Sequence, residues 1–248
     1  MAVANEFEDN GFSVYQSTYY KDPESGKSRE VDVVARKGVC TGNIFADIQF
    51  VIECKTSKEK PWIVFTRKNK IIDWEYMNWY CTSKLGWDYV LSASIDGKFD
   101  ELSLTYHKRE RIGYGITQAF TTGEGLSYRA LQIIGNCAAA FADKANKKKF
   151  DVVEIIIPVI VIQSPIYEAH LDKGELVLEE VKESVVLWDT IIKEQVGISV
   201  HIVIYDNINN FAKLAGSTAE KLCQDWKQNL DSIIAEMAEI HAEIGIPN

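Results

Sequence analysis

The sequence predicts an α/β protein, with a helix and a strand meander at its start, β-branched strands in its second half and a long helix at its end. Three observations carry that prediction. "REVDVVA" and "ADIQFVIECK" alternate apolar and polar residues with the period of two that strands impose. "VVEIIIPVIVI" is apolar and β-branched, broken by Glu154 and Pro158 well short of the ~18 residues a membrane helix needs. Leu222, Trp226, Leu230, Ile233, Met237, Ile240 and Ile244 recur at steps of four and three, a helical stripe.

Taken in order, residues 2–10 suit a short helix stopped by Gly11. "FSVYQSTYY" follows as a strand, and "KDPESGK" reverses the chain through its Pro and Gly. "REVDVVARK" and "ADIQFVIECK" are the next strands, joined by a loop over 38–43. From 61 to 126 the pattern is irregular and aromatic-dense, which reads as an insertion with at least one short helix, its own small core supplied by Trp74, Trp79 and Trp87. "LSYRALQIIGNCAAAFADKANKKK" is helical, with Leu131, Ile134, Ala138 and Phe141 near one stripe. Strands are expected in "FDVVEIIIPVIVIQSPIYEAHL", "GELVLEEVKESVVLWD" and "ISVHIVIYD". The final helix is placed at 217–244, with Ser217 to Glu220 fitting a capping box. Its stripe is expected to pack on the body, and also suits a second copy or a partner subunit.

Composition limits the function. A chain of 248 residues with 46% hydrophobic and 25% charged residues can bury a sizeable core, and one domain spanning 1–248 with an insertion is expected. The first twelve residues lack the basic and apolar regions of a signal peptide, so a soluble cytoplasmic protein with no membrane partner is expected. Five scattered cysteines without a CxxC pair, and four histidines without ligand spacing, argue against disulfides and a zinc site. The net charge of −9 argues against a general polyanion coat. Locally, however, Lys55 to Lys70 carries six basic residues against Glu59 alone.

The charges that interrupt the two strands are the informative feature. Alternation sets Ile48, Phe50, Ile52 and Cys54 on one face and Gln49, Val51, Glu53 and Lys55 on the other; in the preceding strand it sets Val31, Val33 and Ala35 against Glu30, Asp32 and Val34. A carboxylate on a half-buried strand is costly unless it is paired or bound to a metal. A structural salt-bridge cluster of Asp32, Glu53 and Lys55 is one reading. The other has Asp32 and Glu53, on neighbouring antiparallel strands, sharing one hard cation beside Lys55.

An N-terminal helix carrying acids, a meander bearing Asp32 in "REVDVVA", and Glu53-Cys54-Lys55 in "VIECK" together resemble the PD-(D/E)xK, or restriction-endonuclease-like, nuclease superfamily. The likeness covers Glu6 to Lys55, with 127–163 as looser support. Val31 stands where that superfamily often has proline. The resemblance implies a restriction-endonuclease-like core, a central mixed sheet flanked by helices, and a metal-dependent nuclease acting on DNA in a bacterial restriction or phage-defence setting. It further implies Mg²⁺, with Mn²⁺ as substitute, held by Asp32, Glu53 and the backbone carbonyl of Cys54. Lys55 would orient or deprotonate a water, or neutralise charge gathering on phosphorus. The helical acid of the pattern falls on Glu6 or Glu8, Glu30 is a further candidate beside Asp32, and a glutamine of the following helix falls on Gln132.

Nucleic-acid phosphates would be taken by Lys58, Lys60, Arg67, Lys68 and Lys70, with Trp62 or Trp74 stacking on unpaired bases. The basic "KANKKK" run suits a solvated helix C-terminus. The competing expectation is a catalytically silent scaffold, or an interaction module, on the same sheet.

Overall fold

The computed structural model describes residues 1–56, 60–70, 79–98, 109–121, 125–192 and 195–244. Helix α1 spans Ala2–Glu8, and strands β1 (Ser13–Lys21), β2 (Ser28–Thr41) and β3 (Ile44–Lys55) form the antiparallel meander. Next come β4 (Trp62–Lys68), β5 (Cys81–Thr82), helix α2 (Lys84–Ile95), β6 (Arg111–Gln118) and helix α3 (Leu126–Asn146). Strands β7 (Val152–Ile162), β8 (Ile166–Asp172), β9 (Glu175–Val181), β10 (Glu183–Ile192) and β11 (Gln195–Ile204) lead through a 3-10 turn at Tyr205–Asn207 into helix α4 (Ile208–Ile244).

All the described strands belong to one mixed sheet in the order β1-β2-β3-β7-β11-β10-β6-β4-β8-β9, with β5 pairing onto β7. β7 lies parallel to β3 from Val152, opposite Phe45, to Ile162, opposite Lys55. β8 begins only four residues after β7 ends but lies five strands away along the ladder, so the second half of the sheet curls back on the first. The stretch expected as an insertion therefore supplies β4, β5 and β6 to this sheet, in addition to α2.

Every residue of β7 is buried, as expected for a strand flanked on both edges and covered on both faces. Pro158 inside it is unusual, because proline cannot donate to a ladder. Its position explains the tolerance. On the side away from β3, β5 pairs with Ile155 and Ile156 and β11 takes over at Val159, so Pro158 falls in the gap between two partners.

Helices cover both faces. α1, α2 and α4 pack on one face, where Phe7, Phe12, Phe50 and Phe211 form an aromatic knot with neighbouring rings 5.3–6.4 Å apart. α3 covers the other through Ala130, Leu131, Ile134, Cys137 and Ala138. The stripe on α4 is spent on the chain's own core: Leu222, Trp226, Leu230 and Met237 are buried, and Trp226 meets Tyr89 of α2 edge-on at 5.8 Å. Each such side chain contributes roughly 1.5–3 kcal/mol by leaving water. Packing on the body, the first expectation for this stripe, is what its described residues show.

Three expectations are corrected. α4 starts at Ile208, so Ser217 and Glu220 lie inside the helix; Glu220 reaches Lys37 at 3.5 Å instead of capping. Trp62 is fully buried, because it alternates inward with Val64 and Thr66 on β4, and it cannot stack on a base. Trp79 packs beside Ile112, Val185 and Leu187 whereas Trp87 is exposed, so these two do not share a core; Trp74 lies outside the described residues. No helix among the described residues is long and apolar enough to cross a membrane.

Candidate functional site

The β2–β3 ladder ends at Val33 opposite Ile52. One residue further on, Asp32 takes over main-chain duty: its Oδ2 accepts the backbone N–H of Cys54 at 2.7 Å. The face alternation of β2 also breaks here. Val33 packs under α1 and α4, but Val31, two residues away, joins Val34 and Tyr20 on the α3 side. Asp32 thus sits at a kink that turns its carboxylate over the end of β3.

Glu53 and Lys55 follow on β3. The Lys55 ammonium donates to Oε1 of Glu53, and the Lys55 carbonyl accepts the Gln163 N–H at 3.3 Å. Burial holds the Glu53 carboxyl above its ordinary range; Lys55 opposes that rise, while the charges of Asp32 and Glu30 add to it. The Cys54 thiol is pushed up to about 12, first by burial and then by Asp32 and Glu53, so it is neither a nucleophile nor a thiolate ligand at neutral pH. Tyr20 closes the α3 side of the cluster, its hydroxyl donating to the Ile133 carbonyl at 3.0 Å.

Asp32, Glu53 and Lys55 are brought together by the antiparallel pairing of β2 with β3, with Glu30 close enough to act on Glu53. The other candidates stand apart. Glu6 accepts from the Asn209 amide at 2.5 Å, which ties it to α4, and Glu8 is exposed on α1. Gln132 is half-buried on α3 and makes no hydrogen bond to the cluster among the described residues. Lys58 lies outside the described residues. Lys60 donates to the Phe120 carbonyl at 3.0 Å. β4 starts close to the site, where the Trp62 N–H meets the Pro165 carbonyl at 2.9 Å, and then runs away from it. At about 3.3 Å per residue it carries the exposed Arg67 and Lys68 roughly 17–20 Å from that start, with exposed Lys70 beyond them. Among the described residues of the basic run, Lys60 is thus set apart along the strand from Arg67, Lys68 and Lys70.

Among the described residues no three His, Cys, Asp or Glu side chains gather as a metal-binding group. Two carboxylates do lie close enough for the charge of Asp32 to act on Glu53, and each keeps one oxygen that no described residue engages: Oδ1 of Asp32 and Oε2 of Glu53. Hard oxygen donors of this kind, completed by water, suit Mg²⁺.

A second polar cluster was not singled out from the sequence. Asp47 and Gln49 lie on the same face of β3 as Glu53, nearer its start. Oδ2 of Asp47 accepts from Nε of Arg36 at 2.9 Å, from a second Arg36 nitrogen, and from Nε2 of Gln49 at 3.3 Å. Glu154 of β7 lies opposite Asp47 in the parallel register, its Oε1 3.7 Å from Arg36. Its carboxyl is pushed up to about 7 by burial and then by the charge of Asp47, against the pull of Lys148, Arg36 and Lys144. The available signal was Glu154 itself, a carboxylate inside an otherwise apolar strand.

Compared with protein-family profiles, curated proteins and solved structures, the chain gives no significant match.

Proposed function

We propose that the protein is a metal-dependent nuclease that hydrolyses phosphodiester bonds, with DNA as its expected substrate and bacterial restriction or phage defence as its setting. The observation that carries this reading is the meeting of Asp32, Glu53 and Lys55 at one end of the β2–β3 pair. The helix and three-stranded meander at the start, followed after β4, β5, α2 and β6 by helix α3 and a strand parallel to β3, support it as the expected framework.

Asp32, Glu53 and the Cys54 carbonyl would hold Mg²⁺ or Mn²⁺, which when bound would polarise a phosphate oxygen and lower the pKa of a water. The chain's own groups would do the rest. The hydrogen bond from Cys54 N–H fixes the Asp32 carboxylate. Burial makes ionised Glu53 costly, which favours its engagement by a cation. Lys55, now paired with Glu53, would turn to the substrate phosphate and oppose its growing negative charge. Lys60 would take a neighbouring phosphate from beside the mouth of β4.

One observation favours a second reading, a silent scaffold. Asp32 and Glu53 already have partners within the chain, as a structural cluster would. Cleavage of supercoiled plasmid and of labelled single-stranded DNA and RNA, with Mg²⁺ or Mn²⁺, separates the two. Metal-dependent cutting lost in both Asp32→Ala and Lys55→Ala is the expected result. Absence of both metal binding and cutting in the wild type would favour the scaffold.

A further inference from the structure

We propose that Asp47 and Glu154 form a buried proton-holding pair, in which the Glu154 carboxyl carries one proton and donates it to Oδ1 of Asp47. The parallel register sets the two residues opposite each other on the α3 face of adjacent strands, and only 1% and 3% of their respective surfaces are exposed. Two carboxylates therefore face one guanidinium. Oδ2 of Asp47 is saturated by Arg36 and Gln49, while Oδ1 is buried without a partner. A buried acceptor left unpaired costs free energy. A proton on Glu154 supplies the missing donor and removes the excess negative charge in one step.

The surroundings leave no other source of that donor among the described residues. From β2 the pair is faced by Arg36, already committed to Oδ2 of Asp47. From β3 it is faced by Gln49, whose amide also goes to Oδ2. Lys144 at the end of α3 and Lys148 just beyond it act on Glu154 through their charge, and Lys148 rests 5.8 Å over the Phe45 ring and 5.9 Å over the Phe150 ring. From the start of α2, the Ser83 hydroxyl donates to the Val152 carbonyl and accepts the N–H groups of Glu154 and Gly86.

The proton has a consequence at the surface. Arg36 and Lys148 also line an open basin of about 420 Å³ with Phe45 and Phe150, and Arg36 stacks on Phe45 at 5.9 Å. Loss of the proton creates a second anion beneath these cations and draws them inward. The position of both cations in the basin thereby responds to pH near neutrality, in line with the upward push on Glu154.

The sign follows from linkage. A native carboxyl that keeps its proton above the ordinary value of about 4.3 loses stability as pH rises from there to about 7, where the native group also ionises. The test is a carboxyl ¹³C NMR titration of glutamate-labelled protein beside melting curves from pH 4.5 to 8.5. One glutamate signal inflecting near pH 7, absent in Glu154→Gln, is expected. Glu154→Gln keeps a donor for Asp47 and cannot ionise, so its Tm should fall less than that of wild type across the window. If Glu154→Gln fails to fold, Asp47→Asn serves instead, and should shift the same inflection to lower pH. A Glu154 signal inflecting in the ordinary carboxylate range, or equal pH slopes of Tm, would overturn the proposal. Neither measurement involves nucleic acid, so the result is independent of the nuclease reading.

Discussion

Asp47 and Glu53 project from the same face of β3, six residues apart, and the two ends of that face are built differently. At the Asp47 end a guanidinium, an amide and a second carboxylate close around one side chain, with the lysines at the end of α3 beyond them. At the Glu53 end the ladder has already parted, Asp32 bonds to main chain, and a single lysine on the next outward position of the same strand is the partner. Burial raises both carboxyls, but only the Asp47 end is still paired with β2, the strand that carries Arg36, while beside Glu53 the neighbouring β7 presents Ile160. The Glu53 end leaves oxygens for a visitor. A buried charge with a counterion on the neighbouring strand suits a structural role, and one at a ladder end is where the proposed chemistry would act.

Substitution at each end sharpens that contrast. The largest expected effect is Glu53→Gln, which should lower metal-dependent cleavage by about two to three orders of magnitude, up to ~4 kcal/mol of barrier, while Tm changes little. Nuclease assays beside melting curves read both. Arg36→Leu should do the reverse. It strands Asp47 without its counterion and should cost about 3 kcal/mol of unfolding free energy in urea titrations, with cleavage per folded molecule unchanged. Third comes pH: cleavage should decline on acidification at a pH above the ordinary carboxylate range, because burial raises Glu53 and the proton must be absent for a cation to bind. A pH–rate profile that declines only near pH 4 would remove Glu53 from the reaction. The smallest effect belongs to Lys68→Glu, far along β4, which should alter cleavage by no more than about threefold.

Much of this contrast was legible in the sequence at the Glu53 end and little of it at the other. Antiparallel pairing across a short reversal brings Asp32 and Glu53 to adjacent places, so local pattern suffices. The Arg36, Asp47 and Glu154 network needs the pairing of β7 with β3, and nothing local announces which strand will come to lie beside Asp47. The curl of the sheet was hidden for the same reason, and with it the inward role of Trp62. The start of α4 was obscured by "INNFAKLAGS", whose asparagines and glycine read as a loop. Tertiary packing overrides that weak propensity: Phe211 joins the aromatic knot, and Gly216 lies so close to the end of α1 that a Cβ there would meet the Asn10 carbonyl at 2.9 Å.

The parallel pairing of β3 with β7 also sets an order of assembly. It joins residues more than one hundred positions apart, such as Phe45 and Val152, and closing so long a loop is slow compared with forming a meander. Asp32, Glu53 and Lys55 lie within one hairpin and can approach each other while most of the chain is still unstructured. Asp47 can meet Arg36 and Gln49 within the same hairpin, and waits for β7 only to receive Glu154. The hairpin contacts at both ends, Arg36 with Asp47 and Asp32 with Cys54, need no β7, and only the arrival of Glu154 beside Asp47 depends on the long-range pairing.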